Sequence, residues 1–351
     1  MANPAAASTS GARRLPLSVA WVGPRPVWLE LDEAKVELEG VEFCGLDTAK
    51  GQVVHVTRAA LEELGELRKA LPRSVIVLDL TAEGDTELTG AESRHVRGSE
   101  SLFAGSRWEL GELIRRLSLP LPDATVVTRP LDLDWYAPEP RLAETKGRGR
   151  DLRRFRRFHR LAGPTILFAG PYTEAGGLDL LVEAVFLLRE RMPDLRLAAI
   201  PHGSTDPRYR DRCEMRILGL GHHGIVEWHP VESEIPFWYA TAAVVCAPSR
   251  EAATPEPAKR AAAAARPFVG SDLEPHREHV DSGGTGRLVP VGDLEALETT
   301  LETLLGSEDE AASLGEAARR KAEAEYSPAA AARTLRRVWE SLLRTADERL
   351  A

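Results

Sequence analysis

The chain has 351 residues, a length that fits two α/β domains of ordinary size better than a single core. Its hydrophobic content of 43% and charged content of 28% are typical of a globular protein, and no apolar run approaches the roughly 20 residues that span a bilayer. A net charge of −9 argues against general nucleic-acid binding, and three cysteines without a close pair argue against a zinc site or a disulfide framework.

The first 140 residues predict a leader and a small domain. Residues 1–14 are rich in Ala, Ser and Pro and lack the apolar core of a signal peptide, which predicts a disordered leader and a cytoplasmic protein. Over residues 15–140, β-branched runs alternate with helical patterns, as in parallel sheets built from βαβ units. The predicted strands are Leu17–Val22, Val53–Val56, Val75–Leu80 and Ala124–Val127. The predicted helices are Arg58–Ala70 and Ser106–Leu117.

A basic linker follows over residues 141–163. Between Arg141 and Arg160 the chain has nine Arg or Lys residues against Glu144 and Asp151. A solvated linker helix would account for this charge, and so would a weak contact of residues 141–160 with anionic lipid head groups or phosphates.

The last part, residues 164–351, predicts a second parallel sheet closed by helices. Its predicted strands are mostly apolar enough to be covered on both faces: Ile166–Ala169, Leu195–Ile200, Ile225–Trp228, Ala242–Ala247, Phe268–Gly270 and Arg287–Val289. Its predicted helices are Leu178–Arg191, Leu294–Leu305, Glu308–Glu325 and Pro328–Leu343. Ser327 is a good N-cap ahead of Pro328.

Three segments of this second part carry a family resemblance. The runs TILFAGPYTEAGGLDLLVEAVFLLRERMPDLRLAAI, GIVEWHPVESEIPFWYATAAVVCAPSREAA and ARPFVGSDLEPHREHVDSGGTGRLVPVGDLEAL resemble the C-terminal domain of family 4 glycosyltransferases in order and spacing. These are retaining enzymes of GT-B fold. The resemblance implies an α/β fold with two Rossmann-like domains facing across a cleft. The N-terminal domain is shortened, because little room is left between Val22 and Val53 for the family's glycine-rich loop and first helix.

The first candidate site is the turn after the opening strand of the second domain. A strand, a glycine turn and a helix offer free backbone N–H groups and a positive helix end, which suit a diphosphate, although a tight βα turn needs the same glycines. The resemblance therefore implies donor contacts at Gly170, Tyr172, Gly176 and Gly177. The family's two cations on this turn fall at Pro171 and Gly176 here, which removes charge that would stabilise a leaving diphosphate.

The second candidate site is the family's pair of glutamates spaced eight residues apart. Glu251 matches the first, but Lys259 stands at the second, and a lysine cannot accept hydrogen bonds from ribose hydroxyls. A shift of one residue would instead align Ala252 and Arg260. Lys259 stays a candidate donor contact that would supply positive charge, as would Arg260 or the basic linker.

Two further side chains complete the candidate set. Glu278 matches a family glutamate on the next segment, and it could equally be a carboxylate favoured by a helix start. His202 is a candidate donor contact and His55 a candidate acceptor contact, although a lone histidine is more often structural. No metal is expected, because no His, Asp and Glu cluster has ligand spacing and the family generally needs none.

The resemblance implies a retaining transfer of a hexose from a nucleotide-diphosphate sugar to an unknown acceptor, with Glu251 and Glu278 as the catalytic candidates. The lost donor-site residues leave an alternative open, a non-catalytic protein that keeps the fold as the accessory subunit of a companion glycosyltransferase. No cofactor beyond the donor sugar is expected.

Overall fold

The computed structural model describes residues 17–22, 29, 32–39, 41–44, 53–57, 75–79, 101–117, 124–138, 152–220, 224–226, 234–251 and 254–350. Within these ranges the chain forms two parallel β-sheets of six strands each, and helices pack against both. The α/β class predicted from the alternation of strands and helices is confirmed. The predicted leader, the predicted helix Arg58–Ala70 and the first half of the basic linker lie outside the described residues.

The first sheet has the strand order β2-β1-β3-β4-β5-β6. Its strands are β1 (Leu17–Val22), β2 (Val41–Cys44), β3 (Val53–Thr57), β4 (Val75–Asp79), β5 (Ser101–Ala104) and β6 (Ala124–Val126). Its helices are α1 (Asp32–Glu37) and α2 (Arg107–Leu117). The prediction of little room for a helix between the first two predicted strands needs correcting, because α1 and β2 both lie there.

The second sheet has the strand order β12-β11-β10-β7-β8-β9. Its strands are β7 (Thr165–Tyr172), β8 (Arg196–Thr205), β9 (Gly224–Val226), β10 (Val244–Ala247), β11 (Phe268–Ser271) and β12 (Gly286–Val289). The helices are α3 (Leu152–Phe158), α4 (Leu178–Arg189), α5 (Pro207–Leu218), α6 (Ile235–Thr241), α7 (Glu256–Ala263), α8 (Glu274–His279), α9 (Leu294–Gly306), α10 (Glu308–Glu325) and α11 (Pro328–Leu350).

Both faces of the second sheet are buried, which explains why its strands are nearly continuous apolar runs. On one face, Phe168 packs with Leu181 of α4 and Leu301 of α9. On the other face, Leu167 packs with Trp238 of α6. Alternate residues of β7 therefore point into two different cores, as the period of a β-strand requires.

The chain crosses between the two sheets twice. Leu131 and Tyr136, which follow β6, pack in the core of the second sheet. In the opposite direction, Leu335 and Trp339 of α11 pack in the core of the first sheet. The two crossings are joined where the Leu131 N–H donates to the Tyr326 carbonyl at 2.8 Å. The last helix thus follows the second domain in sequence but packs on the first.

Candidate functional site

The glycine turn after β7 is held in place by close backbone packing. A Cβ on Gly176 would lie 2.0 Å from the Pro171 carbonyl oxygen, and one on Gly177 would lie 2.1 Å from the Pro248 carbonyl oxygen. Gly177 also has a φ of 75°, which favours glycine. These contacts account sterically for both glycines, so their presence alone does not establish a diphosphate site.

Strand β7 is longer than the sequence predicts, and this places Tyr172 in the core. Tyr172 pairs with Thr205 of β8, beyond the register shift after Gly170. The Tyr172 side chain is fully buried, with its ring 6.0 Å from that of Phe168. Tyr172 therefore has no exposed side-chain surface that could contact a donor in this structure.

An arginine from the neighbouring strand lies on the glycine turn. Arg250, which follows β10, donates through Nη1 to the Glu174 carbonyl oxygen at 2.9 Å. Its guanidinium also makes a bidentate pair with the Asp179 carboxylate, with both distances 2.8 Å. The Arg250 backbone N–H donates to the Ala175 carbonyl at 2.7 Å. The turn therefore has a fixed guanidinium although Pro171 and Gly176 supply no charge.

The start of α4 is organised around the same carboxylate. The Tyr209 hydroxyl donates to Asp179 Oδ1 at 2.6 Å and accepts the Asp179 backbone N–H at 3.0 Å. Burial alone would raise the pKa of Asp179, but the bonds from Arg250 and Tyr209 outweigh it and lower that pKa. Asp179 is consequently ionised at neutral pH, and the Arg250 side chain remains 34% exposed beside it.

Lys259 lies at the crossing between the domains. Its ammonium group donates to the Arg129 carbonyl oxygen at 2.8 Å and to Glu256 Oε1 at 2.9 Å, and it lies 5.7 Å from the centre of the Tyr326 ring. Only 2% of the Lys259 side chain is exposed. These contacts give the lysine a role in fastening the crossing segments, and they leave its ammonium little access to a bound nucleotide.

The remaining charges at the start of α7 compensate one another. Burial alone would raise the pKa of Glu256, but Lys259 and Arg260 outweigh it and lower that pKa to about 2. Arg260 lies over the Tyr136 ring, with its guanidinium carbon 5.5 Å from the ring centre. Burial, followed by the charge of Arg260, lowers the pKa of His202 to about 4. His202 is therefore neutral at pH 7 and can only act as a neutral donor or acceptor.

Glu278 bonds to the first domain across the interface. Its two carboxylate oxygens accept the backbone N–H groups of Arg107 at 2.7 Å and Trp108 at 3.2 Å, at the start of α2. The other groups of that helix end are satisfied locally. Ser106 Oγ accepts the Glu109 N–H at 3.0 Å, and Glu109 Oε2 accepts the Gly105 N–H at 2.8 Å. Glu278 is thus a helix cap supplied by the opposite domain.

A cavity of about 1040 Å³ lies between the domains beside this cap. Residues of α2 and α8 line it together with residues of α10 and α11. Its side chains carry both signs of charge, and Lys321 and Arg333 are paired with Asp281 and Glu37 respectively. The positive and negative side chains that line the cavity therefore nearly balance, and the cavity has no strong charge of one sign.

The predicted site residues fall into four places. Gly170, Gly176 and Gly177 lie at the carboxyl end of β7, and the exposed Glu251 follows Arg250 next to this turn. His202 and Lys259 belong to the charged group at the start of α7, and Glu278 lies at the domain interface. His55 is a core residue of the first sheet, stacked on Trp21 with 3.9 Å between ring centres.

Two residues of the site, Arg250 and Asp179, were not predicted from the sequence. Arg250 and Asp179 are 71 positions apart, and they meet because β10 pairs directly with β7. The signal that could have found them is the family's strand order, since residues that follow adjacent parallel strands share one edge of the sheet. Among the described residues, no cluster of three His, Cys, Asp or Glu side chains could hold a metal ion, and no helix is both long and apolar enough to cross a bilayer.

Comparison with known proteins agrees with this architecture. Residues 163–307 match the family model described as "Glycosyl transferases group 1". The chain is 27% identical over 316 residues to D-inositol 3-phosphate glycosyltransferase of Streptomyces scabiei (strain 87.22), and the match covers 87% of the chain and 66% of that relative. The chain therefore spans about two thirds of the length of this curated relative.

Solved structures extend the likeness to both domains. The glycosyltransferase from Rickettsia africae ESF-5 has a TM-score of 0.71 at 15% identity, covering 93% of this chain and 99% of that one. Anabaena Alr3699/HepE in complex with UDP and glucose has a TM-score of 0.68 at 14% identity, covering 93% and 100%. The predicted GT-B fold is confirmed. The resemblance of the second domain is confirmed at the level of group 1 glycosyltransferases.

Proposed function

We propose that this protein is a glycosyltransferase that moves a hexose, with retention of configuration, from a nucleotide-diphosphate sugar to an acceptor hydroxyl. The observation that carries this proposal is the arginine-bearing glycine turn at the carboxyl edge of the second sheet, where open parallel sheets bind their ligands. The match of residues 163–307 to group 1 glycosyltransferases supports the same location.

The proposed chemistry breaks the bond between the anomeric carbon and the diphosphate oxygen and forms a bond to an acceptor oxygen, which loses its proton. Negative charge develops on the leaving diphosphate, so a fixed cation beside it lowers the barrier. In this chain Arg250 takes that role in place of the two missing family cations, because its guanidinium is held on the turn by Glu174 and Asp179. The N-terminus of α4 adds a favourable dipole at the same place.

Two other sources of positive charge fit this role less well. The Lys259 ammonium is buried against Glu256 and the Arg129 carbonyl. The described part of the basic linker, α3, packs against α6 through Phe155 and Phe237. Glu251 remains the proposed residue near the donor sugar, since it is exposed beside Arg250.

The proposal does not specify the acceptor, and the name of the curated relative suggests the first acceptor compound to test. We propose trying D-inositol 3-phosphate with nucleotide sugars of each base, because the relative from Streptomyces scabiei is named for that acceptor. Release of nucleoside diphosphate would report transfer, and the anomeric configuration of the product, read by NMR, would report retention. An inverted product would contradict the retaining part of the proposal.

A matched pair of variants tests the role of Arg250. We expect Arg250→Ala to weaken binding of the cognate nucleoside diphosphate about tenfold or more, because a charge-assisted hydrogen bond contributes about 1.5–3 kcal/mol and Asp179 would lose its partner. Arg212→Ala is the control, since Arg212 pairs with Glu174 of the same turn at 2.7 Å but is mostly exposed. Equal losses in both variants would contradict a specific role for Arg250.

The alternative function, a non-catalytic companion subunit, stays a prediction from the altered donor motifs. It would be favoured if no nucleotide bound to the folded protein.

A further inference from the structure

The short linker helix α3 has one face buried and one face turned outward. Phe155 is buried, with its ring 5.4 Å from that of Phe237 and 5.0 Å from that of Trp238. This aromatic contact attaches α3 to the second domain. The helix is therefore a fixed part of the domain surface.

The outward face of α3 combines arginines with an exposed aromatic ring. At 100° per residue, Arg153, Arg154, Arg157 and Phe158 lie within an arc of about 140° that does not include Phe155, and all four are exposed. Phe158 is 79% exposed. In the part of the chain that the structure describes, no carboxylate pairs with Arg154 or Arg157. We call these four residues the α3 face.

The α3 face is positively charged although the whole chain has a net charge of −9. Next to it, His159 lies 4.0 Å from the Glu234 carboxylate, on the side of the helix that carries Phe155. A large apolar ring held in water is costly, and both the ring and the arginines beside it are favourably placed at the surface of an anionic bilayer. There the guanidinium groups meet lipid phosphates, and the phenyl ring enters the interface.

We propose that the α3 face docks the protein on the surface of membranes that contain anionic lipids. This contact is peripheral and reversible, since a few arginines and one aromatic ring give modest affinity. Helix α3 shares a cavity with Thr165 at the start of β7 through Arg156, whereas the glycine turn follows the end of that strand. The contact is therefore independent of the donor site and of the proposed transferase activity. A purely electrostatic partner such as an acidic polymer would use the arginines but would leave Phe158 in water.

The test is sedimentation of the full-length protein with lipid vesicles. We expect binding to vesicles of phosphatidylcholine and phosphatidylglycerol in equal parts, little binding to phosphatidylcholine alone, and loss of binding at high salt. Because each arginine near an anionic surface contributes about 1 kcal/mol, the double variant Arg154→Ala, Arg157→Ala should lower the partition coefficient about 30-fold. Phe158→Ala should lower it about tenfold.

Controls separate docking from general charge and from misfolding. Arg320→Ala removes an exposed arginine of α10, and Val36→Ala removes an apolar side chain of α1 that is 70% exposed. Both should bind vesicles as the unchanged protein does. All variants should keep its circular dichroism spectrum and thermal midpoint, because the substituted side chains point away from the core.

Two results of the vesicle assay would overturn the proposal. One is equal binding of the unchanged protein to vesicles with and without phosphatidylglycerol. The other is equal binding of the Arg154 and Arg157 double variant and the unchanged protein. Binding of a single-stranded nucleic acid through the α3 face without vesicle binding would also overturn it and would identify a different occupant.

Discussion

The cap that Glu278 places on α2 makes a prediction that separates a structural role from a catalytic one. Replacing Glu278 by glutamine keeps the shape of the side chain and one carbonyl acceptor. The amide nitrogen of glutamine, however, cannot accept the second of the two N–H groups. We therefore expect Glu278→Gln to loosen the start of α2 and to leave the rest of the first domain unchanged.

The size of the effect follows from the two bonds. Their lengths are 2.7 and 3.2 Å, and the first is exposed while the second is partly buried. An anion at a helix N-terminus contributes about 0.3–1 kcal/mol when exposed and up to about 2 kcal/mol when partly buried. We take about 1 kcal/mol for the loss, which raises the population of the open helix start about fivefold.

The assay is native-state hydrogen exchange followed by mass spectrometry, on peptides that cover the first turn of α2. The variant should exchange the Arg107 and Trp108 amides about five times faster than the unchanged protein. Glu274→Gln is the matched control, since Glu274 lies on the same helix as Glu278, is exposed, and makes no hydrogen bond to the described residues of the first domain. Unchanged exchange in Glu278→Gln, with a fall in turnover, would refute the capping role and restore Glu278 to the catalytic machinery.

The remaining predictions concern the neighbouring charges. Glu251→Ala should lower kcat/KM at least about tenfold, equivalent to about 1.4 kcal/mol of transition-state stabilisation, with an unchanged thermal midpoint; equal turnover would remove Glu251 from the mechanism. Lys259→Ala should lower the free energy of unfolding in urea by about 3 kcal/mol, because it removes the nearer of the two cations beside the partly buried Glu256, and a loss below about 1 kcal/mol would contradict that pairing. Because the pKa of Glu256 is lower in the folded protein than its ordinary value near 4.5, its ionised form stabilises the fold at pH values above 4.5. About 3 kcal/mol of the free energy of unfolding should be lost as the pH falls from 4.5 toward 2. Glu256→Gln should flatten that pH dependence of urea unfolding, and an unchanged slope would refute the assignment.

Most of the second sheet could be predicted from the sequence because its strands are apolar runs covered on both faces. The helix Glu308–Glu325 was predicted with the bounds that the structure gives. Helix α5 was missed although its signal is present: Asp206 accepts the Arg208 N–H as an N-cap, and Pro207 occupies the first helical position. Strand β5 was missed because its four residues, SLFA, include no β-branched side chain, unlike the equally short β10 and β11.

The end of β7 shows why local patterns were insufficient at the site. Gly170 followed by Pro171 is a turn signal, so the strand was predicted to end there. Tertiary pairing with β8 instead extends it to Tyr172 and buries that ring. The contacts of Arg250 and Glu278 could not be read from spacing either, because one depends on strand order and the other joins residues 171 positions apart.

The central claim, a nucleotide-sugar donor site at the glycine turn, is tested most directly by calorimetric titration of the purified protein with UDP, GDP and ADP. We predict binding of one of the three with a Kd in the micromolar range, about −8 kcal/mol, which Arg250→Ala weakens about tenfold or more and Arg212→Ala does not. No heat and no thermal shift with any of the three would contradict the claim and would favour a fold retained for binding a companion enzyme.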